Sequence, residues 1–359
     1  MTRMEIYSPS DLPGSTVSER IGAAPPRPRF AGSVEDFPMD LPDGKEIGRV
    51  IAVSRAPDGD LYLLNYSEYG PYIPRTESAR LPWIVHLDAD GRYVNGWGGD
   101  DVPDVDGVPQ WPSNPENVEV DDEGSVWVTG WGPDDNAILR FTADGTFLRR
   151  YGQRGVAGDD DSTEAFHSPP SVYHDVQNHE LFVADGYNNH RVIAIDSETG
   201  EFTRMWGAYG KRPSSLTPEE AFGNPVHKIA RSADGLLYVC DRHKNRIQEF
   251  ELVPGGVRYL REVVIAPGTG HMGSAADVAF TADGRYMLVT DMMGMRVWSI
   301  DRATFEVLGW ASAAPELEGE DNIGVNRIPL HRLAILPDGD LLVTRGRRGI
   351  QVMRYLGVR

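Results

Sequence analysis

Short apolar runs recur along the chain, each broken by Asp-Gly or a polar equivalent and followed by a second apolar run. In order they read VIAVSRAPDGDLYLLN (50–65), NVEVDDEGSVWVTG (117–130), SVYHDVQNHELFVAD (171–185), HKIARSADGLLYVCD (227–241), DVAFTADGRYMLVTD (277–291) and HRLAILPDGDLLVTR (331–345). Runs rich in Val, Ile, Leu, Tyr and Phe and bounded by Gly, Asp and Asn read as strands. Asp-Gly between two such runs marks a hairpin, because the turn needs positive φ. Most repeats continue into a third strand (AILRFTADG, HRVIAIDSETG, NRIQEFEL, MRVWSID, IQVMRYLG), and several into a fourth (TFLRRYG, EFTRMWG, FEVLGWA). No segment carries a long helical period.

The repeat interval of roughly 50–65 residues matches one four-stranded blade with its loops. Six repeats over residues 46–359 therefore predict an all-β, six-bladed β-propeller with antiparallel blades around a central channel. The last repeat has no fourth strand after Tyr355. Residues 1–45 read as a largely irregular N-terminal extension. One strand of it is expected to complete the last blade and close the ring, which removes the free edge.

Charge narrows the range of partners. The net charge is −19 and the pI about 4.9. Such a surface repels phosphate backbones and anionic lipid, so a small-molecule substrate is expected rather than nucleic acid or membrane. Cys240 is the single cysteine, which excludes an internal disulfide and a Cys-rich metal site. No apolar run reaches the roughly 20 residues of a membrane-spanning helix, and the N-terminal residues lack a signal-peptide core. The expectation is a soluble cytoplasmic monomer or small homo-oligomer.

Counting back fourteen positions from each second-strand end gives one residue per blade at the start of the inner strand: Ile51, Glu116, Ser171, His227, Asp277 and His331. Glu116, His227 and His331 fall on alternate blades, about 120° apart around one axis. Two imidazoles and a carboxylate converging there suit a divalent transition metal, zinc foremost, with iron or manganese as alternatives. The competing reading is that both histidines simply hydrogen-bond to the channel wall. Asp277, at the same counted register, is a candidate to assist the metal or bind substrate.

The positions just after the second strands should face the channel mouth. They include Tyr66, Trp131, Tyr187 and Arg242. Tyr66 and Tyr187 suit proton transfer or oxyanion contact, Arg242 a carboxylate clamp, and Trp131 substrate packing. A salt bridge from Arg242 to Asp241 or Asp185 is the alternative. His271, in the loop PGTGHMGS, is a candidate acid or base, and Arg345 a candidate anion clamp alongside Arg347 and Arg348. His167, His174 and His179 have no ligand spacing and read as surface loop positions. No Gly-x-Ser-x-Gly elbow occurs, which argues against a serine hydrolase.

ELFVADGYNNHRVIAID, EFTRMWG and LLYVCDRHKNRIQEFE resemble the NHL blades of the peptidyl-α-hydroxyglycine α-amidating lyase family. That family is a six-bladed propeller with three zinc-binding histidines in its channel, a catalytic tyrosine and arginines. The resemblance implies roles for Tyr187 within Asp-Gly-Tyr-Asn-Asn, for Arg242 within Cys-Asp-Arg, and for His227 and His331 as metal ligands. It departs at Glu116, where the family has its third histidine, and at Tyr66, where the family has an arginine. It departs again at Arg332, where an aspartate accompanies the family's structural calcium. What it implies is a related metal-dependent lyase acting on a small substrate with carboxylate and hydroxyl groups, not peptide amidation. A lactonase-like metal-dependent hydrolase and a non-enzymatic NHL scaffold are the alternatives.

Overall fold

The computed structural model describes residues 25–66, 76–266, 273–314, 330–345 and 349–359. They form six four-stranded antiparallel sheets, the blades of a β-propeller. Among the described residues there is no α-helix, only single turns of 3-10 helix. In blades 1 to 5 the strands follow chain order from the channel outward. The inner strands are Arg49–Arg55, Pro115–Val120, Ser171–Asp175, Val226–Arg231 and Ala275–Phe280, and Leu333–Ile335 is the inner strand of blade 6. The glycines of the Asp-Gly turns, Gly59, Gly235, Gly284 and Gly339, all have φ between +65° and +104°. That is the conformation for which glycine was read as the turn residue.

Blade 6 is built from both ends of the chain. Its inner three strands are Leu333–Ile335, Leu341–Val343 and Gln351–Val358, and its outermost strand is Pro28–Asp36. The two terminal strands pair antiparallel, from Pro28 opposite Val358 to Asp36 opposite Gln351.

The core lies between blades rather than at the axis. Each strand shows apolar side chains to the blade on either side, and six buried clusters follow, one per blade interface. Leu64, Ile84 and Trp97 of blade 1 meet Val118, Val128 and Phe141 of blade 2. Ala334, Leu342 and Val352 of blade 6 meet Val53, Leu63 and Val85 of blade 1. The channel is therefore free to be lined by polar groups, since the hydrophobic contribution to stability comes from elsewhere.

Aspartates at the second-strand ends tie down the loops that lead into the inner strands. Asp241 accepts the Gly223 N–H (3.0 Å) and pairs with Arg246 (2.8 Å). Asp185 accepts the His167 N–H (2.7 Å) and pairs with Arg191 (2.8 Å). All four side chains are buried, so these charges are tolerable only because they are paired and hydrogen-bonded. The pairing also uses up both carboxylates that a salt bridge from Arg242 would have needed.

Candidate functional site

Three side chains reach the axis because the inner strands are irregular where they begin. In blade 2, Pro115 pairs with Gly130 and Asn117 with Thr129, so Glu116 is an extra, unpaired residue. In blade 4, Val226 pairs with Asp241 and Lys228 with Cys240, which leaves His227 unpaired in the same way. A bulge of this kind re-aims one side chain without disturbing the ladder beyond it. His331 sits just ahead of the blade 6 inner strand, held by its N–H to the Thr344 carbonyl (2.9 Å).

Backbone carbonyls set both imidazoles. His227 Nδ1–H donates to the Ala276 carbonyl (2.7 Å), and His331 Nδ1–H donates to the Ile51 carbonyl (2.8 Å). A carbonyl oxygen only accepts, so each ring carries its proton on Nδ1 and turns the Nε2 lone pair inward. The two Nε2 atoms are 3.2 Å apart, and Glu116 Oε1 lies 3.0 Å from one and 3.1 Å from the other. Glu116 is 3 %, His227 0 % and His331 8 % exposed. Three acceptor atoms facing one another in a dry site repel unless a cation lies among them, so this buried cluster can hold a metal ion. Ligand atoms about 2.0–2.1 Å from one ion stand about 2.9 Å apart at right angles and about 3.3 Å apart at tetrahedral angles. The observed spacings fall inside that interval.

The electrostatics favour a neutral His227 beside an ionised Glu116. Burial depresses the His227 pKa well below its ordinary value, and the charges of Arg332 and Arg242 add to the effect. For Glu116, burial pushes the carboxyl upward, but His331 and His227 outweigh it and hold the pKa well below the usual range. A neutral His227 and an ionised Glu116 are the forms that metal ligation needs.

Tyr187 and Arg242 stand over this cluster. The Tyr187 hydroxyl donates to Glu116 Oε1 (2.9 Å) and accepts from Arg242 Nη1 (3.2 Å), and the Arg242 guanidinium lies 5.4 Å from the Tyr187 ring centre. Burial, then the Glu116 charge, raises the phenol pKa strongly, against the opposing effect of Arg242. Gly186 permits this placement. A Cβ there would lie 2.0 Å from the Val226 carbonyl oxygen, next to His227. Trp131, 44 % exposed, tilts over the Tyr187 ring at 5.9 Å and forms the rim.

Tyr66 is buried at the boundary of blades 1 and 2, with its hydroxyl donating to the Pro115 carbonyl. Burial and the Glu116 charge raise its pKa as well. Opposite it across the blade 1 hairpin is Arg49, which the sequence reading missed. Arg49 Nε is buried without a partner, and the guanidinium makes no side-chain hydrogen bond among the described residues. Burial lowers its pKa, with Tyr66 and Glu116 as the opposing charges. The signal was available: Arg49 directly precedes the first repeat, two positions ahead of Ile51.

Two inner strands correct the counted register. The blade 5 hairpin turns from Thr281 to Tyr286, one residue longer than the Ser232–Leu236 turn of blade 4, and the blade 3 hairpin is also one residue longer than that of blade 4, with twelve residues between paired Ser171 and Ala184 against eleven between Lys228 and Cys240. Aligned by strand pairing, the axial residues of blades 3 and 5 are Pro170 and Ala276, not Ser171 and Asp277. Asp277 belongs to the next layer down, where it accepts the Leu333 N–H (3.0 Å) and faces Lys228 Nζ (3.8 Å). Arg332 shares that layer. It donates to the Pro170 carbonyl (3.2 Å) and stands 4.0 Å from Glu116 Oε1. Arg345 is buried and donates to the Ala313 carbonyl (2.6 Å). His271, Arg347 and Arg348 lie outside the described residues. His174, read as a surface residue, is buried between blades 2 and 3.

No family model matches the chain. Over 143 residues, 39 % of its length, it is 32 % identical to peptidyl-glycine alpha-amidating monooxygenase B of Xenopus laevis. The A form from the same organism is 32 % identical over 146 residues, again 39 % of this chain. These stretches span only 15 % and 14 % of the two frog proteins. Among solved structures, virginiamycin B lyase from Staphylococcus aureus aligns over 91 % of this chain and 89 % of its own, at 12 % identity and a TM-score of 0.52. A streptogramin B lyase covers 90 % of this chain and 97 % of its own, at 15 % identity and 0.52. The β-propeller domain of Cps50 (Swd1) from Myceliophteria thermophila covers 91 % and 99 %, at 12 % identity and 0.53. At such identities these structures speak for the propeller fold alone.

Proposed function

We propose that this protein is a metal-dependent lyase acting on a small substrate that carries a carboxylate and a hydroxyl, bound at the channel mouth above Glu116, His227 and His331. One observation carries the reading: two imidazole nitrogens, fixed as acceptors by carbonyls of neighbouring blades, face a carboxylate oxygen at 3.0–3.2 Å in a buried site. The local similarity to peptidyl-glycine alpha-amidating monooxygenases supports the choice of a lyase over other metal chemistry. A divalent ion on these three residues would supply Lewis acidity toward a substrate oxygen.

The chain's own residues do the rest. Arg242, and Arg49 across the mouth, hold the substrate carboxylate. Tyr187 is a phenol at rest, since its pKa is raised. It relays the proton from the substrate hydroxyl to the departing atom as the carbonyl forms and the adjacent carbon–heteroatom bond breaks, and so ends as a phenol. Trp131 shields the site from bulk water on one side.

Elemental analysis of protein purified without added metal tests the reading. The expected result is close to one transition-metal ion per chain, zinc, iron or manganese. The His227→Ala, His331→Ala double variant should lose it while keeping an all-β circular dichroism spectrum. α-Hydroxy acids bearing a heteroatom on the same carbon should release a carbonyl product only with the metal-loaded protein. A native protein without bound metal, or a double variant that retains it, overturns the proposal.

A further inference from the structure

A second cavity lies at the opposite end of the inner strands from the Glu116 cluster. It has a volume of about 320 Å3 and lies outside everything assigned above to catalysis. That volume is in the range of small-ligand sites. Its charged lining is unusual for a chain with net charge −19. Lys228, Arg231, Arg55 and Arg332 face it, against Glu119 and Asp277.

The pairs can be resolved one by one. Lys228 is neutralised by Glu119 (2.5 Å), and Arg231 by Asp175. Asp277 is satisfied by the N–H groups of Val278 and Leu333. Four cations then face three carboxylates, since the charge of Asp277, 3.8 Å from Lys228 Nζ, still counts, and the lining keeps an excess positive charge held by two guanidiniums without a close ion pair. Arg332, 1 % exposed, forms the inner wall. It has two carbonyl contacts at 3.2 and 3.5 Å, a long ion pair to Glu116 at 4.0 Å and, among the described residues, no closer carboxylate and an Nε without a partner. Arg55 is at the outer rim, half-buried, and its side chain makes no hydrogen bond or ion pair among the described residues. A buried guanidinium that lacks a close counter-ion is costly unless something supplies the charge.

We infer that the far end of the channel is a second ligand site, for a compact dianion with carboxylate or phosphate groups. One anionic group meets Arg332 at depth and another meets Arg55 at the rim, with the Asn117 amide and the spare Lys228 N–H groups as further donors. Planar, delocalised guanidiniums suit both kinds of anion. Arg332 also touches the Glu116 cluster from below, so a ligand here lies one side chain away from the candidate metal centre.

Isothermal titration calorimetry at low ionic strength, with inorganic phosphate and with succinate as probes, tests the assignment. The native protein should bind at least one probe saturably, at a site whose affinity depends on Arg55. Arg55→Ala should weaken that binding about tenfold or more, the usual loss for a charged hydrogen bond. Arg55 is at the rim and its replacement leaves the core intact, so this variant should fold and keep its metal. Arg49→Ala, at the opposite mouth, should bind the probe as the native protein does. The inference fails if neither probe binds saturably, if Arg55→Ala binds like the native protein, or if Arg49→Ala abolishes binding. The last outcome would assign the anion to the upper mouth. The same titrations on protein stripped of metal by a chelator exclude anion binding at the metal centre, so failure here is separable from failure of the lyase reading.

Discussion

At the scale of single residues, the site is a set of groups whose protonation is decided by what surrounds them. Tyr187 shows this most clearly. Its hydroxyl lies between a carboxylate that keeps it protonated and a guanidinium that stabilises the phenolate, and burial decides in favour of the phenol. Tyr187→Phe should leave metal content unchanged and lower kcat by about 100- to 10,000-fold, the range for loss of a positioned proton-transfer group. An unchanged kcat would make Tyr187 a packing residue. Arg49→Ala should act differently. It removes a cation that has no side-chain partner among the described residues, so KM should rise about tenfold or more with kcat less affected, as expected when a charged hydrogen bond to bound substrate is lost. Steady-state kinetics with the carboxylate-bearing substrate separates the two outcomes. The identities of Glu116, His227 and His331 were legible from the chain because one count, made from the second-strand ends, reached all three. Arg49 was missed because that count starts inside the repeat, and a residue ahead of the first ring position has no equivalent to compare with.

At the scale of strands and turns, the count failed where hairpins differ in length. Strand-turn-strand repeats look alike in sequence when the turn gains or loses one residue, yet each such change slides every inner-strand residue by one position. Blades 3 and 5 differ from blade 4 in this way, which exchanges Pro170 for Ser171 and Ala276 for Asp277. The exchange has chemical content. Blades 3 and 5 offer carbonyls to the channel, and one of these, from Ala276, fixes His227. Turns also carry contacts between blades. Asp121, in the blade 2 turn, accepts from the Trp127 indole (2.9 Å) and the Ser125 N–H (2.8 Å) and meets His174 Nδ1 of blade 3 at 2.7 Å, while His174 Nε2 meets Ser197 (2.9 Å). Burial pushes the Asp121 carboxyl up, but His174, Trp127 and Ser125 outweigh it and leave its pKa lowered. A depressed folded-state pKa contributes stability above the unfolded value of about 4 and loses it as pH falls through the folded value. Asp121→Asn should therefore cost about 2–3 kcal/mol at neutral pH. Its denaturation midpoint should also change less than that of the native protein as the pH falls below about 4. Urea titrations at a series of pH values measure both effects. An equal acid slope in the two proteins would remove Asp121 from the account.

At the scale of the whole molecule, the number of blades and the placement of chemistry on alternate ones could be read from repetition, because each blade buries its apolar faces against the next and the pattern must recur. Ring closure has no repeating signal. It depends on Pro28–Asp36, far from the strand it pairs with and without the Asp-Gly turn that marks the other strands. This strand covers the exposed edge of Gln351–Val358, and the adjoining segment reaches blade 5 as well. The Tyr286 hydroxyl donates to the Pro26 carbonyl (3.0 Å), and Arg27 Nη1 to the Leu308 carbonyl (3.0 Å). The strand therefore helps to hold blade 6 against blade 5, and the candidate site needs blade 6 in place because it supplies His331. Deleting residues 1–36 removes the backbone ladder to Gln351–Val358, at about 1 kcal/mol for each bond lost. It also leaves a hydrogen-bonding edge open to other copies of the chain. The shortened protein should melt earlier and self-associate with rising concentration in sedimentation experiments. Its metal content should fall together with its blade 6 packing, since two ligands on blades 2 and 4 make a weaker site than three. A truncated protein that melts like the full chain, stays monodisperse and keeps its metal would show that three strands suffice for blade 6 and that closure by the N-terminal strand contributes little to the site.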